Sequence, residues 1–113
     1  MGDMDVELLI VRECPHTAAA ARLLRTALDD IGLPDKDFDT TVVVGQGDAD
    51  RLGFTGSPAF FVDGFDLFRE PGRPAGLSCR LYRTSDRVGG LPDLVDLRLA
   101  LKRAADRPRT VQR

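Results

Sequence analysis

Apolar residues change their spacing from segment to segment along this chain, and the changes divide it into elements. Leu8-Leu9-Ile10-Val11, within the stretch Val6 to Thr17, is a short aliphatic run of the kind found in a strand buried on both faces. From Pro15 to Ile31 the chain is rich in alanine and leucine, and Leu24, Ala27, Leu28 and Ile31 recur at helical spacing. Pro15 suits the first turn of that helix, where its missing N–H is not needed. Gly32 fits the C-cap, and Pro34 stops any continuation. Phe38 to Val44, β-branched from Thr40 onward, predicts a second strand. Strand, helix, strand in that order implies a parallel pair joined by a right-handed crossover. Gly45 to Gly47 predict a turn, and Asp48 to Leu52 one or two helical turns.

Ala59-Phe60-Phe61-Val62 and Phe65-Asp66-Leu67-Phe68 flank Asp63-Gly64, the signal of a hairpin with a tight turn. Glu70 to Gly76 is loop by composition, and Leu77 to Arg83 predicts a short extended piece. Gly89-Gly90-Leu91-Pro92 opens a last helix whose apolar stripe is Leu94, Leu97, Leu101 and Ala104. The polar tail 106–113 is expected to fray. There is no internal repeat and no low-complexity tract. The expectation is one α/β domain over 1–113, with its core in 5–105.

Composition narrows the function classes. The chain has 113 residues, 42% hydrophobic and 30% charged, as expected of a small globular domain with a modest core. No apolar run approaches the roughly 20 residues of a membrane span. The start, Met1-Gly2-Asp3-Met4-Asp5, is acidic rather than basic as in a secretory signal. Two cysteines and one histidine are too few for a disulfide scaffold or a structural zinc site. These features predict a cytoplasmic protein with reduced thiols, no membrane partner, no metal and no cofactor. The net charge of −2 divides into −8 over 1–68 and +3 over each of 69–88 and 89–113. The late arginines form no dense basic stripe with interleaved aromatics, so a solvated surface is expected and nucleic acid is not. Oligomeric state has no signal in the sequence.

The candidate chemistry lies where the first apolar run meets the first helix. Cys14 stands at that junction, beside the free N–H groups and positive dipole end of the helix. Such a site lowers a thiol's pKa from about 8.5 and favours the nucleophilic thiolate. His16 can add to the effect if its ring turns to the sulfur. The bland readings are that Cys14 is a small apolar residue closing a strand and that His16 faces solvent.

Cys14-Pro15-His16-Thr17 resembles the Cys-Pro-His-Cys signature of disulfide-forming oxidoreductases of the thioredoxin fold, with Thr17 in place of the resolving cysteine. Gly-Ser-Pro-Ala-Phe-Phe-Val at 56–62 is similar to that family's central hairpin. There the proline matching Pro58 is cis and faces the active cysteine. Gly89-Gly90 before the last helix is similar to the glutaredoxin turn that helps to hold glutathione. The resemblance covers nearly all of 6–104. It implies a thioredoxin-like or glutaredoxin-like fold: a mixed four-stranded sheet with flanking helices, and an extra short strand near 77–83. It implies catalytic Cys14 and His16, and binding positions at Pro15, Thr17, Ser57, Pro58, Gly89 and Gly90.

The leading expectation is thiol-disulfide oxidoreduction in which Cys14 attacks a protein disulfide or a low-molecular-weight thiol adduct. The hairpin returns the chain to the end where Cys14 lies, so Cys79 is a candidate resolving thiol. Its bland reading is an inert cysteine at the end of a loop. Two other classes remain open: a thioredoxin-like binding or regulatory module without turnover, favoured by Thr17, and a mercury- or organomercurial-related thiol protein, since soft thiolates suit mercury.

Overall fold

The computed structural model describes residues 4–84 and 86–106. Its elements run β1 (Val6–Ile10), α1 (Thr17–Asp30), β2 (Asp39–Val42), α2 (Gln46–Leu52), β3 (Ala59–Val62), β4 (Phe65–Asp66), β5 (Tyr82–Arg83), β6 (Val88–Gly89) and α3 (Leu94–Asp106). The architecture is α/β, with three helices around a mixed four-stranded sheet of order β2-β1-β3-β4. β1 and β2 are parallel, as the intervening helix requires, with Leu8 opposite Thr40 and Ile10 opposite Val42. β3 runs antiparallel between β1 and β4, with Leu8 opposite Phe60 and Phe61 opposite Asp66.

Alternation along β1 and β3 divides the core between the two faces of the sheet. Val6, Leu8, Ile10, Phe60 and Val62 pack with Leu24 and Leu28 of α1 and Leu97 and Leu101 of α3. Leu9, Ala59 and Phe61 pack on the other face with Val43, Ala49 of α2 and Phe54. β3 is thus buried on both sides, and β1 is buried on both sides from Leu8 to Ile10, as the aliphatic run Leu8–Val11 suggested. Across the first face, Arg98 of α3 pairs with Asp30 at the end of α1 at 3.0 Å.

Several boundaries differ from the sequence expectation. The first strand stops at Ile10 because the chain turns at Arg12 and Glu13. α1 starts at Thr17 and not at Pro15, since Pro15 and His16 form the turn that leads into it. Gly32 does close it, at φ +88°, with its N–H on the Asp29 carbonyl. β2 is four residues at the edge of the sheet, and only the Val43 N–H continues its ladder, onto the Ile10 carbonyl at 2.7 Å. α2 begins at Gln46, inside the expected turn, with Gly45 as its cap. β4 ends at Asp66, after which Leu67 donates once more to Phe60 at 2.9 Å. The expected strand at 77–83 contributes only Tyr82–Arg83, which pairs with Val88–Gly89 as a separate ribbon. Asp106 closes α3 instead of opening a tail; residues 107–113 lie outside the described residues.

Candidate functional site

The chain leaves β1 at Val11 and reverses sharply. Glu13 takes a left-handed conformation at φ +62°, uncommon for a residue with a side chain. The reversal is tied by the Cys14 N–H, which donates to the Val11 carbonyl at 3.2 Å. Cys14 is half-buried and packs against the core face that α1 and α3 share. Its own carbonyl accepts from the Thr17 N–H at 3.3 Å and from the Thr17 hydroxyl at 3.0 Å. Thr17 therefore braces the turn that presents Cys14 and anchors it to the start of α1. Pro15 is exposed on the outside of that turn.

His16 is half-buried at the N-cap position, and its side chain makes no capping hydrogen bond. Its ring lies against Gly90: a Cβ built there would overlap the imidazole. Two motifs far apart in sequence thus meet, and a side chain at Gly90 would require the His16 ring to move aside. Gly89 belongs to β6, opposite Tyr82.

Ser57 and Pro58 stand across the sheet from Val11. Both are buried, and the Ser57 Oγ accepts from the Val11 N–H at 3.0 Å. The Ser57–Pro58 bond is cis, as expected. On the opposite edge of Ser57 lies Cys79. The Ser57 N–H donates to the Ser78 carbonyl and the Arg80 N–H to the Ser57 carbonyl, each at 2.9 Å, so that Cys79 sits opposite Ser57 in a parallel bridge. Gly56 permits this approach; a Cβ on it would stand 3.2 Å from the Ser78 carbonyl and from Arg80. Hydrogen bonds thus run from Cys14 to Val11, from Val11 to the Ser57 side chain, and from the Ser57 backbone to the segment holding Cys79. Both cysteines are free thiols, and Cys79 is exposed.

Burial alternates after that bridge, exposed at Cys79 and Leu81 and buried at Arg80 and Tyr82. Arg80 is the residue that sequence reasoning missed. The sequence places it among arginines expected to be solvated, yet its side chain is 1% exposed and pairs at 2.7 Å with the Asp66 side chain, itself 6% exposed. Arg80 also donates to the Phe68 carbonyl and lies 5.1 Å above the Tyr82 ring. Burial works against the charged guanidinium, but Tyr82, Asp66 and Glu70 outweigh it and the net shift in its pKa is upward. Tyr82 donates to the Pro58 carbonyl at 2.6 Å and packs edge-on against Phe60 and Phe68. Burial raises its phenol well above the ordinary value, Arg80 opposes this, and Asp66 and Glu70 add to it. Arg80 and Tyr82 therefore clamp the 77–83 segment over the edge at Ser57–Pro58. The one signal in the sequence was the alternation of 79–82, which marked extended chain but not which face was buried.

Among the described residues, no cluster of three or more histidine, cysteine or acidic side chains is arranged to hold a metal ion. Nor is any helix among them long and apolar enough to cross a membrane. In comparisons with known proteins, no family model, no curated protein and no solved structure matches this chain.

Proposed function

We propose that this chain has a thioredoxin-like fold and carries out thiol-disulfide exchange with Cys14 as the nucleophile. The observation that carries the reading is the turn itself. Cys14 stands between β1 and the start of α1, braced by Thr17 and joined through Val11 to Ser57 and Pro58. In the proposed step the Cys14 thiolate attacks one sulfur of a disulfide, the S–S bond breaks, and the departing thiolate takes a proton from solvent. A mixed disulfide remains on Cys14. A second thiolate then attacks the Cys14 sulfur and releases the bound group as a thiol. Cys79, opposite Ser57, is the proposed internal source of that thiolate, and the Cys14–Cys79 disulfide it leaves is reduced by two equivalents of an external small thiol; the other route has the external thiol displace the bound group and a second equivalent free Cys14 as the small-molecule disulfide departs.

A second reading, a binding or regulatory module without turnover, is favoured by Thr17. It stands where a resolving cysteine would, and its hydroxyl is committed to the Cys14 carbonyl. The two readings separate in a glutathione-coupled assay of disulfide reduction. Oxidoreduction requires activity that Cys14→Ser abolishes; Cys79→Ser reduces it where Cys79 is the resolving thiol and leaves it unchanged where the external thiol resolves. Wild-type protein no faster than the uncatalysed reaction, or Cys14→Ser as active as wild type, removes the catalytic reading.

A further inference from the structure

β2 lies at one edge of the sheet, and its outer side is open. In the ladder with β1 the Val43 N–H donates to the Ile10 carbonyl at 2.7 Å, and Ile10 stands opposite Val42. The backbone groups of Thr41 and Val43 therefore face β1, and those of Thr40 and Val42 point away from the sheet. No other strand among the described residues covers them. Thr40 and Val42 are exposed, and Val44 beyond them is 68% exposed. Unpaired strand backbone is a template for another chain, and natural edges are commonly guarded by lysine, proline or a bulge. Thr40-Thr41-Val42-Val43-Val44 has neither lysine nor proline and is β-branched throughout.

The free groups select one pairing. The Val44 N–H is turned to the Asp48 carboxylate at 3.4 Å, so Thr40 and Val42 are the residues left to pair. In an antiparallel pair of two copies, Thr40 of each exchanges both backbone hydrogen bonds with Val42 of the other, and every outward N–H of the two residues finds a carbonyl. Thr41 then meets its own copy on the two-fold axis, with Cα atoms about 4.5 Å apart. On the face where Val42 meets Thr40, the exposed Val44 comes opposite the half-buried Phe38. Charge agrees with this register. Asp39 of one copy comes opposite Val43 of the other, and Val43 lines a cavity at the strand end that Arg12 also lines. Arg12 and Asp39 are both exposed, and neither enters an ion pair among the described residues. Glu7, opposite Asp39 in β1, places a second carboxylate at that end. Of the acids near Arg12, Glu13 does not line the cavity and Asp48 is paired with Arg51 at 2.9 Å.

We infer that β2 pairs antiparallel with β2 of a second copy of this chain, Thr40 opposite Val42, and joins the two sheets into one. The two-fold axis through Thr41 closes the assembly at two copies. Asp39 of each copy is brought to the end of the strand where Arg12 of the other stands. A four-residue edge offers less surface than the roughly 800 Å2 per partner of a standard interface. The dimer is therefore weak and concentration-dependent, with a dissociation constant on the order of 100 µM. It is independent of any chemistry at Cys14.

The test is sedimentation equilibrium of the full chain with a reductant present, from about 1 µM to about 1 mM, a range that spans the expected constant. Thr40→Pro removes an outward donor that the single chain does not use, and the two-fold symmetry doubles the loss. It is expected to weaken the dimer about thirty-fold while far-ultraviolet circular dichroism stays that of the wild type. Arg12→Glu and Asp39→Arg change exposed side chains, so the monomer keeps its fold. Each alone should weaken the dimer about five-fold at low salt, and the two together should restore it. In a Cys14→Ser/Cys79→Ser background, Thr41→Cys should give a disulfide-linked dimer under mild oxidation, because Cα atoms on the axis lie within bridging distance. Val42→Cys should link less readily. A monomer at every concentration overturns the inference and leaves the edge to a strand of a different protein. A dimer that folded Thr40→Pro leaves intact, or that the charge exchange does not restore, lies on another surface and overturns it too. So does growth beyond two copies, or linkage through Val42→Cys in preference to Thr41→Cys.

Discussion

A side chain at Gly90 would have to share its space with the His16 imidazole. Gly90→Ala is therefore expected to destabilise the fold by about 1–3 kcal/mol, the usual cost of overpacking. In a His16→Ala background the same change should cost far less, because the ring it meets is gone. A double-mutant cycle by denaturant unfolding checks this, and additive costs would mean that the two residues do not meet. Tyr82 makes a second prediction at this scale. Its phenol is held neutral above the ordinary range by burial, so the folded chain keeps a proton that the unfolded chain releases near about pH 10. Stability is then fully present below about pH 10 and is lost as pH rises towards the folded value. Tyr82 is the only tyrosine, so the ultraviolet absorbance of tyrosinate reports it alone. Native protein should ionise at higher pH than unfolded protein, and Tyr82→Phe should remove the alkaline loss of stability.

The element that decides the position of Cys79 is not a regular one. The 77–83 segment has a single bridge to the main sheet and two anchors, Arg80 on Asp66 and Tyr82 on Pro58. Asp66→Ala leaves a buried guanidinium without its carboxylate, and a loss of about 3–5 kcal/mol is expected. Replacing both partners together, Asp66→Leu with Arg80→Met, should recover much of it. Hydrogen exchange at the Arg80 amide should quicken in Asp66→Ala beyond the change in global stability, because that amide carries the bridge to Ser57. Exchange that quickens only in step with the fall in global stability would contradict an anchor. Local signals made Cys14, Ser57-Pro58 and Gly89-Gly90 legible in the sequence, because turn and junction chemistry is written in adjacent residues. The Arg80–Asp66 pair was not legible: its partners are 14 residues apart, and nothing local distinguishes a buried arginine from the exposed ones around it. The second strand was read too long for a related reason. Its β-branched run continues to Val44, but its one sheet neighbour among the described residues is β1, and the ladder ends where the chain after β1 turns at Arg12 and Glu13.

At the scale of the molecule, the two faces of one small sheet divide the labour. The face under α1 and α3 supports Cys14 and buries Tyr82, while the face under α2 holds the strand ends that open beside Arg12. The parallel β1–β2 pair and the β3–β4 hairpin followed from the sequence; that the hairpin joins the sheet through β3 beside β1 is what the structure adds. The β5–β6 ribbon did not follow from the sequence, because its pairing depends on tertiary anchors. The central claim is that folding places Cys14 where it exchanges with disulfides more readily than a bare cysteine does. The direct test is the rate at which Cys14, in Cys79→Ser protein, forms a mixed disulfide with oxidised glutathione, native and urea-unfolded, at neutral pH. A several-fold faster reaction in the native state is expected, in keeping with helix-terminus effects of about 0.3–2 kcal/mol. A native rate equal to or below the unfolded one would mean that the fold only shields the thiol, and would contradict the account.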